Sequence, residues 1–276
     1  MKRWSATLLV FAVCSAVVHA DVTLVQKTTV EGGAASMAPG GIPTPTITNR
    51  IKGLKGRMDM DLGPTVPTNM STITDATAKQ VIMLDHNQKT ARVSTAGQPP
   101  PPSAADAPKA TLNMDASVKP SGKSQTIDGF KCDEYLFTTT ISLSDIGGSM
   151  PPEAAAAMQG ISMVMKGSLW VSKDAPGMAE YRDYQKAMSS SELASAAMGA
   201  AGVNIPGMDK LAKAMTSVDG LPILTEMEMT IQGEGQIAEM MKQMGAMKIT
   251  TKVMSLKTDA IADDVFKVPE GYQIIK

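Results

Sequence analysis

The side chains with the most distinctive chemistry in this sequence are its methionines, which number 23 against four Phe, four Tyr and two Trp. Six of them form pairs two residues apart. The pairs are Met58 with Met60, Met163 with Met165, and Met227 with Met229. Side chains two positions apart on a β-strand point to the same face, so each pair is expected to place two thioethers side by side.

Three interpretations of these methionines stay open. The first is a packed core in which flexible methionine replaces aromatic residues, and the alternation of the pairs with mostly polar or charged residues favours it. The second is a site for monovalent copper, which prefers soft thioether ligands. The third is an adaptable surface that accepts apolar ligands of varied shape. The volume left between the methionines decides between a filled core and a lined groove.

The first twenty residues predict a cleavable secretory signal. A positive start at Lys2 and Arg3 precedes an apolar stretch at 8–18, and Ala20 supplies the small residue before the cleavage site. The apolar stretch is too short to cross a bilayer, and no later one suggests an anchor. We therefore expect a periplasmic or secreted protein, cleaved after Ala20 and not integral to the membrane.

Removal of residues 1–20 leaves Cys132 and His86 as the only mature residues of their kinds. One cysteine cannot form an intramolecular disulfide, and a zinc site built on several His or Cys ligands is excluded. Cys132 alternates onto an apolar strand face and is expected to be a buried, inert thiol. His86 falls in the polar turn 85–89 and is expected to be solvated, which argues against a Ser-His-acid arrangement.

The charge of the mature chain gives no reason to expect nucleic acid or an anionic membrane surface as a partner. Loss of Lys2 and Arg3 leaves 24 of the 26 basic residues against 27 acidic ones, a formal charge of −3. No glycine motif has the spacing needed to hold phosphates. We therefore expect a non-enzymatic protein with no catalytic residues, cofactor or metal.

The pattern along residues 21–276 predicts one domain of about ten strands, mostly antiparallel, with helices late in the chain. Strict alternation predicts strands at 57–62, 162–172 and 223–231, with separate strands at 110–118 and 123–127 and an extended segment at 264–269. Helical spacing predicts a helix over 178–188 in which Glu180 is a surface charge. A proline-rich insert near 98–109 interrupts the strands.

Five segments carry a resemblance to a known family. They are the hairpin at 84–93, TIDGFKCDEY at 126–135, MKGSLWVSK at 165–173, AEY at 179–181 and FKVPEGY at 266–272. In order and spacing these segments resemble the exported bacterial proteins grouped as domain of unknown function 4412. That family is similar to the LolA/LolB-like lipoprotein carrier superfamily.

The resemblance implies a mainly β fold with α: a curved antiparallel sheet, an open LolA-like half-barrel, with helices covering its concave face. It also implies a cavity for an apolar ligand, a lipid or an acyl chain. The alternatives are a Met-rich Cu(I)-binding protein and an envelope scaffold that contacts envelope proteins without a small ligand. The candidate cavity residues are Met58, Met60, Met163, Met165, Leu169, Met227, Met229, Tyr181 and Met215.

Overall fold

The computed structural model describes residues 20–33, 44–63, 69–97, 114–143, 158–189, 193, 218–243 and 245–275. Nearly all of the predicted signal and the whole proline-rich insert lie outside these residues. Met215, a candidate cavity residue, also lies outside them.

Twelve strands account for most of the described residues. In chain order they are β1 Val22–Gly32, β2 Thr46–Lys52, β3 Lys55–Asp61, β4 Asn69–Asp75, β5 Gln80–Asp85, β6 Thr90–Thr95, β7 Met114–Ile127, β8 Phe130–Ser142, β9 Ser162–Ser172, β10 Leu221–Gln232, β11 Met247–Lys257 and β12 Gln273–Ile275.

These strands form one open sheet in the order β12-β6-β5-β4-β3-β2-β1-β11-β10-β9-β8-β7. Every neighbouring pair is antiparallel except β12 with β6, which is parallel. Two runs of sequential strands, β1–β6 and β7–β11, are joined where β1 pairs with β11. The prediction of a mainly β, antiparallel-rich sheet with helices is confirmed, and the sheet is open because β12 and β7 remain unjoined.

The turn between β7 and β8 follows directly from its residues. Asp128 and Gly129 both have positive φ, 48° and 87°, as a two-residue hairpin turn of type I′ requires. The predicted division of the preceding segment into two strands is wrong, because β7 runs unbroken from Met114 to Ile127 with an irregularity in its pairing between Pro120 and Ser124. A proline is tolerated there because β7 is the edge strand and does not need every N–H.

Two helices are described, α1 Met178–Met188 and α2 Gln236–Gln243. The helix predicted over 178–188 is confirmed with the same bounds, and α2 lies late in the chain, where further helices were expected. Gly177 precedes α1 with φ 74°, and a Cβ at this position would lie 2.5 Å from Val22 Cγ2. Glycine is therefore needed here both for its left-handed conformation and for the close approach of the helix start to β1.

The C-terminal segment packs on strands β4–β6. Ile73, Leu84 and Ala91 form a buried cluster with Ile261 and Phe266. The predicted extended segment at 264–269 is wrong in its first part, because a 3₁₀ helix, Asp263–Phe266, turns Phe266 into this cluster. Among the described residues, no helix combines the length and the apolar character that a bilayer crossing needs.

Candidate functional site

The strand register places the predicted cavity residues of the strands on one face of the sheet, which we call the methionine face. Cross-strand partners share a face, and so do residues two apart on a strand. Met60 of β3 pairs with Ile47 of β2, and Ile47 pairs with Gln26 of β1. Thr28 shares a face with Gln26, and its partner on β11 pairs in turn with the residue two positions before Met227 of β10. Strands β3 and β10 therefore present their paired methionines on the same side of the sheet. Alternation within one strand could not establish this relation between two strands.

Three methionines from three adjacent strands form one cross-strand row on this face. Met229 of β10 pairs with Met165 of β9 on one side and with Met247 of β11 on the other. All three side chains are half-buried. We call these three residues the methionine row. Two of them were predicted from the sequence, whereas Met247 was missed because it has no methionine two residues away to form a pair.

Apolar side chains continue the methionine face on both sides of the row. Met227 packs with Phe137 and the fully buried Leu169, and Phe137 lies so close over Gly167 that a Cβ there would meet its ring at 2.7 Å. On the other side, Met163 packs in the cluster that contains Ala238 of α2. The register and these contacts place Met163, Met165, Leu169, Met227 and Met229 on the same face of β9 and β10.

The other two methionines of the predicted set lie farther along the sheet. Met58 and Met60 are half-buried on β3, which is five strand positions from β9 in the sheet order. At about 4.8 Å per strand this separation is about 24 Å along the sheet. The sequence therefore identified the correct face but grouped residues from two regions of it.

Helix α1 contacts β3 and β4 through the hydroxyl of Tyr184. This hydroxyl lies 2.5 Å from Thr74 Oγ1. The ring also lies against β3, and a Cβ at Gly56 would overlap the Tyr184 hydroxyl. Gly56 therefore leaves the space that the ring occupies. Burial raises the pKa of Tyr184, so the hydroxyl stays neutral and is available as a hydrogen-bond donor.

Glu180 fixes the start of α1 to the hairpin between β2 and β3. The prediction of a surface charge is wrong, because this residue is only 2 % exposed. Its Oε1 accepts a hydrogen bond from the backbone N–H of Gly53, and its Oε2 is buried without a hydrogen-bond partner. The spacing of four residues to Tyr184 was the available signal, since it puts both side chains on one helix face.

Tyr181 is the one predicted cavity residue that α1 contributes within the described part of the chain. It packs against the cluster that contains Leu24, Trp170 and Met178. Burial raises the pKa of Tyr181 to about 12. Tyr181 therefore belongs to the contact between α1 and the sheet, and it presents a neutral hydroxyl there.

The opposite face of strands β8–β11 is charged and carries an open groove of about 570 Å³. Here Glu228 pairs with Lys166 and Lys248, each the chain neighbour of a row methionine. Lys248 Nζ also lies 3.5 Å from Glu226 Oε1, and the apolar Leu136 is half-exposed at the groove. The two faces of the same strands thus differ sharply, since one is thioether-rich and the other carries Lys and Glu side chains on neighbouring strands.

His86 lies at a turn as predicted, but it is half-buried rather than fully solvated, and both of its ring nitrogens are hydrogen-bonded. Its Nε2 is 2.6 Å from Ser71 Oγ, and its Nδ1 is 2.5 Å from the hydroxyl of Tyr272. Ser71 Oγ donates to Asp59 Oδ1 at 2.5 Å, and Arg57 Nε donates to the same oxygen at 2.7 Å. We call these five residues the His86 network.

The donors in this network define the state of the imidazole. The only hydroxyl hydrogen of Ser71 goes to Asp59, so Ser71 accepts from the Nε2–H of a neutral His86, and Nδ1 accepts from Tyr272. Burial, with the charge of Arg57, lowers the pKa of His86 and keeps it neutral. Ser71 is only 2 % exposed and is not directed at His86 as a nucleophile, so the arrangement differs from a Ser-His-acid triad.

Cys132 is buried, as predicted, and is free. Burial raises the pKa of its thiol, which favours the protonated, unreactive form. Within the part of the chain that the structure describes, no three His, Cys, Asp or Glu residues are grouped so that they could hold a metal ion. The methionine row is therefore the described feature with the most distinctive ligand chemistry.

Comparison with known proteins gives no relative from which residue roles could be transferred. No family model matches the chain, and no curated protein matches it in sequence.

Proposed function

We propose that this protein is an exported, non-enzymatic binding protein for an apolar ligand, a lipid or an acyl chain, which lies against the methionine face. The observation that carries the proposal is the methionine row with its flanking apolar residues. Met165, Met229 and Met247 are half-buried side by side on three adjacent strands. A half-buried side chain still has apolar surface that a ligand can remove from water.

Methionine suits this role better than a branched or aromatic residue. It has three rotatable bonds and a polarizable sulfur, so neighbouring methionines can adjust to acyl chains of different length and saturation. The flanking Phe137 and Leu169 supply the more rigid part of the same surface. Such a surface favours contact area over directional hydrogen bonds, as recognition of a hydrocarbon chain requires.

The finer form of the proposal is a half-barrel whose helices cover its concave, methionine-bearing side. The contacts of Tyr184 with Thr74 and of α2 with the Met163 cluster support helices on that side of the sheet. This arrangement, together with the predicted signal, is consistent with a carrier that acts in the periplasm or outside the cell.

The test is a titration of the mature chain with an apolar fluorescent probe. The double variant Met165→Gln/Met229→Gln keeps side-chain length but makes the surface polar, and each change is expected to weaken binding by about tenfold. Met254→Gln is the matched control, because Met254 on β11 is 59 % exposed. Circular dichroism confirms that each variant is folded. Unchanged probe affinity in the double variant contradicts the proposal.

A further inference from the structure

The register brings together three thioethers that the sequence leaves far apart. Met165, Met229 and Met247 come from β9, β10 and β11, and Met229 pairs directly with each of the other two. Directly opposed residues of antiparallel strands have Cβ atoms about 4.5–5.5 Å apart. Met165 and Met247 lie on opposite sides of Met229, so their Cβ atoms are about 10 Å apart, and each long flexible side chain can reach toward the central methionine.

We propose that the methionine row is a binding site for a soft monovalent cation, Cu(I), held by the three thioether sulfurs of Met165, Met229 and Met247. Thioethers are neutral, soft ligands, and they select Cu(I) over hard cations such as Mg²⁺ and Ca²⁺. All three side chains are half-buried, so the ion is partly shielded from water yet can reach the site.

The stronger copper ligands of the mature chain lie in other clusters. Cys132 packs with Trp170 and Leu221 in a buried cluster, and its thiol is held in the protonated form. Both nitrogens of His86 are engaged by Ser71 and Tyr272. A Cu(I) ion at the methionine row therefore has thioether ligation only, and this distinguishes it from a Cys or His site.

The ligand chemistry gives the site a characteristic pH dependence. Cysteine and histidine must lose a proton to bind a metal, so their affinity falls in acid. Thioether sulfur carries no proton in this range. The affinity for Cu(I) is therefore expected to be the same at pH 7 and at pH 5.

The experiment is a competition between the mature protein and a chromogenic Cu(I) chelator under anaerobic, reducing conditions. The wild type is expected to bind one Cu(I). Met229→Leu and Met247→Leu, which keep apolar volume, should each weaken binding by at least about tenfold. Met254→Leu, an exposed methionine on the same strand as Met247, should bind like the wild type, and so should Cys132→Ala.

The same leucine variants separate this proposal from the apolar-ligand proposal. Leucine removes the sulfur but not the hydrophobic surface, so it should weaken Cu(I) binding while the fluorescent probe still binds. The copper proposal is overturned if the wild type takes up no Cu(I), if Met229→Leu binds as tightly as the wild type, or if Cys132→Ala or Met254→Leu causes the same loss. None of these outcomes bears on the binding of the probe.

Discussion

Two apolar regions of the one sheet, the cluster on β4–β6 beneath the C-terminal segment and the methionine row on β9–β11, are packed to different degrees. On β4–β6 the apolar residues Ile73, Leu84 and Ala91 are fully buried beneath the C-terminal segment. On β9–β11 the methionine row is only half-buried. The first region therefore specifies one packing arrangement, whereas the second keeps an adaptable apolar surface. Of these two regions, the first should contribute more to stability and the second more to ligand binding.

The largest expected effect is on the free energy of unfolding. Leu84→Ala should lower it by about 2–5 kcal/mol, because the fully buried side chain leaves a cavity under Phe266. Met229→Ala should cost less, about 1 kcal/mol, since its side chain is already partly in water. Urea unfolding of both variants measures the difference. Equal losses would remove the distinction between the two regions.

A smaller effect is expected from the pH dependence of the His86 network. The pKa of His86 is lowered in the folded protein, so its contribution is fully present above pH 6.5. As the pH falls below this value the unfolded chain binds a proton that the folded chain resists, and stability is lost until the folded pKa is passed. The lowered pKa of Asp59 acts only in stronger acid, because its ordinary value is 3.8.

Urea unfolding of the mature chain at pH 7.5 and pH 5.5 checks this prediction. The wild type should lose stability between the two values, and His86→Gln should lose less because glutamine does not titrate. Probe binding at the methionine face should be unaffected by the same variant, since the network lies near the C-terminal segment through Tyr272. A pH dependence that is the same in both proteins would assign the loss to other groups.

Local pattern was enough to predict much of the fold. Alternation predicted the bounds of β9, helical spacing predicted the bounds of α1, and Asp128 with Gly129 has the residue types that its hairpin turn requires. Each of these features depends on neighbours within a few residues. The register of the strands was then needed to show that all of the paired methionines lie on the same face of the sheet.

The features that were missed depend on contacts between distant parts of the chain. Glu180 is buried because it meets Gly53, 127 residues away, and His86 meets Tyr272, 186 residues away. Met247 joins the methionine row only through the register of β10 with β11. Alternation shows which side chains share a face of their own strand, but it does not identify the neighbouring strand.

The most direct test of the binding proposal is native mass spectrometry of the mature protein purified from a membrane-bearing host, followed by organic extraction of what co-purifies. We expect a stoichiometric lipid-like adduct that is lost in the Met165→Gln/Met229→Gln variant and kept in Met254→Gln. A bare protein mass in the wild type, with nothing recovered in the organic extract, would contradict it.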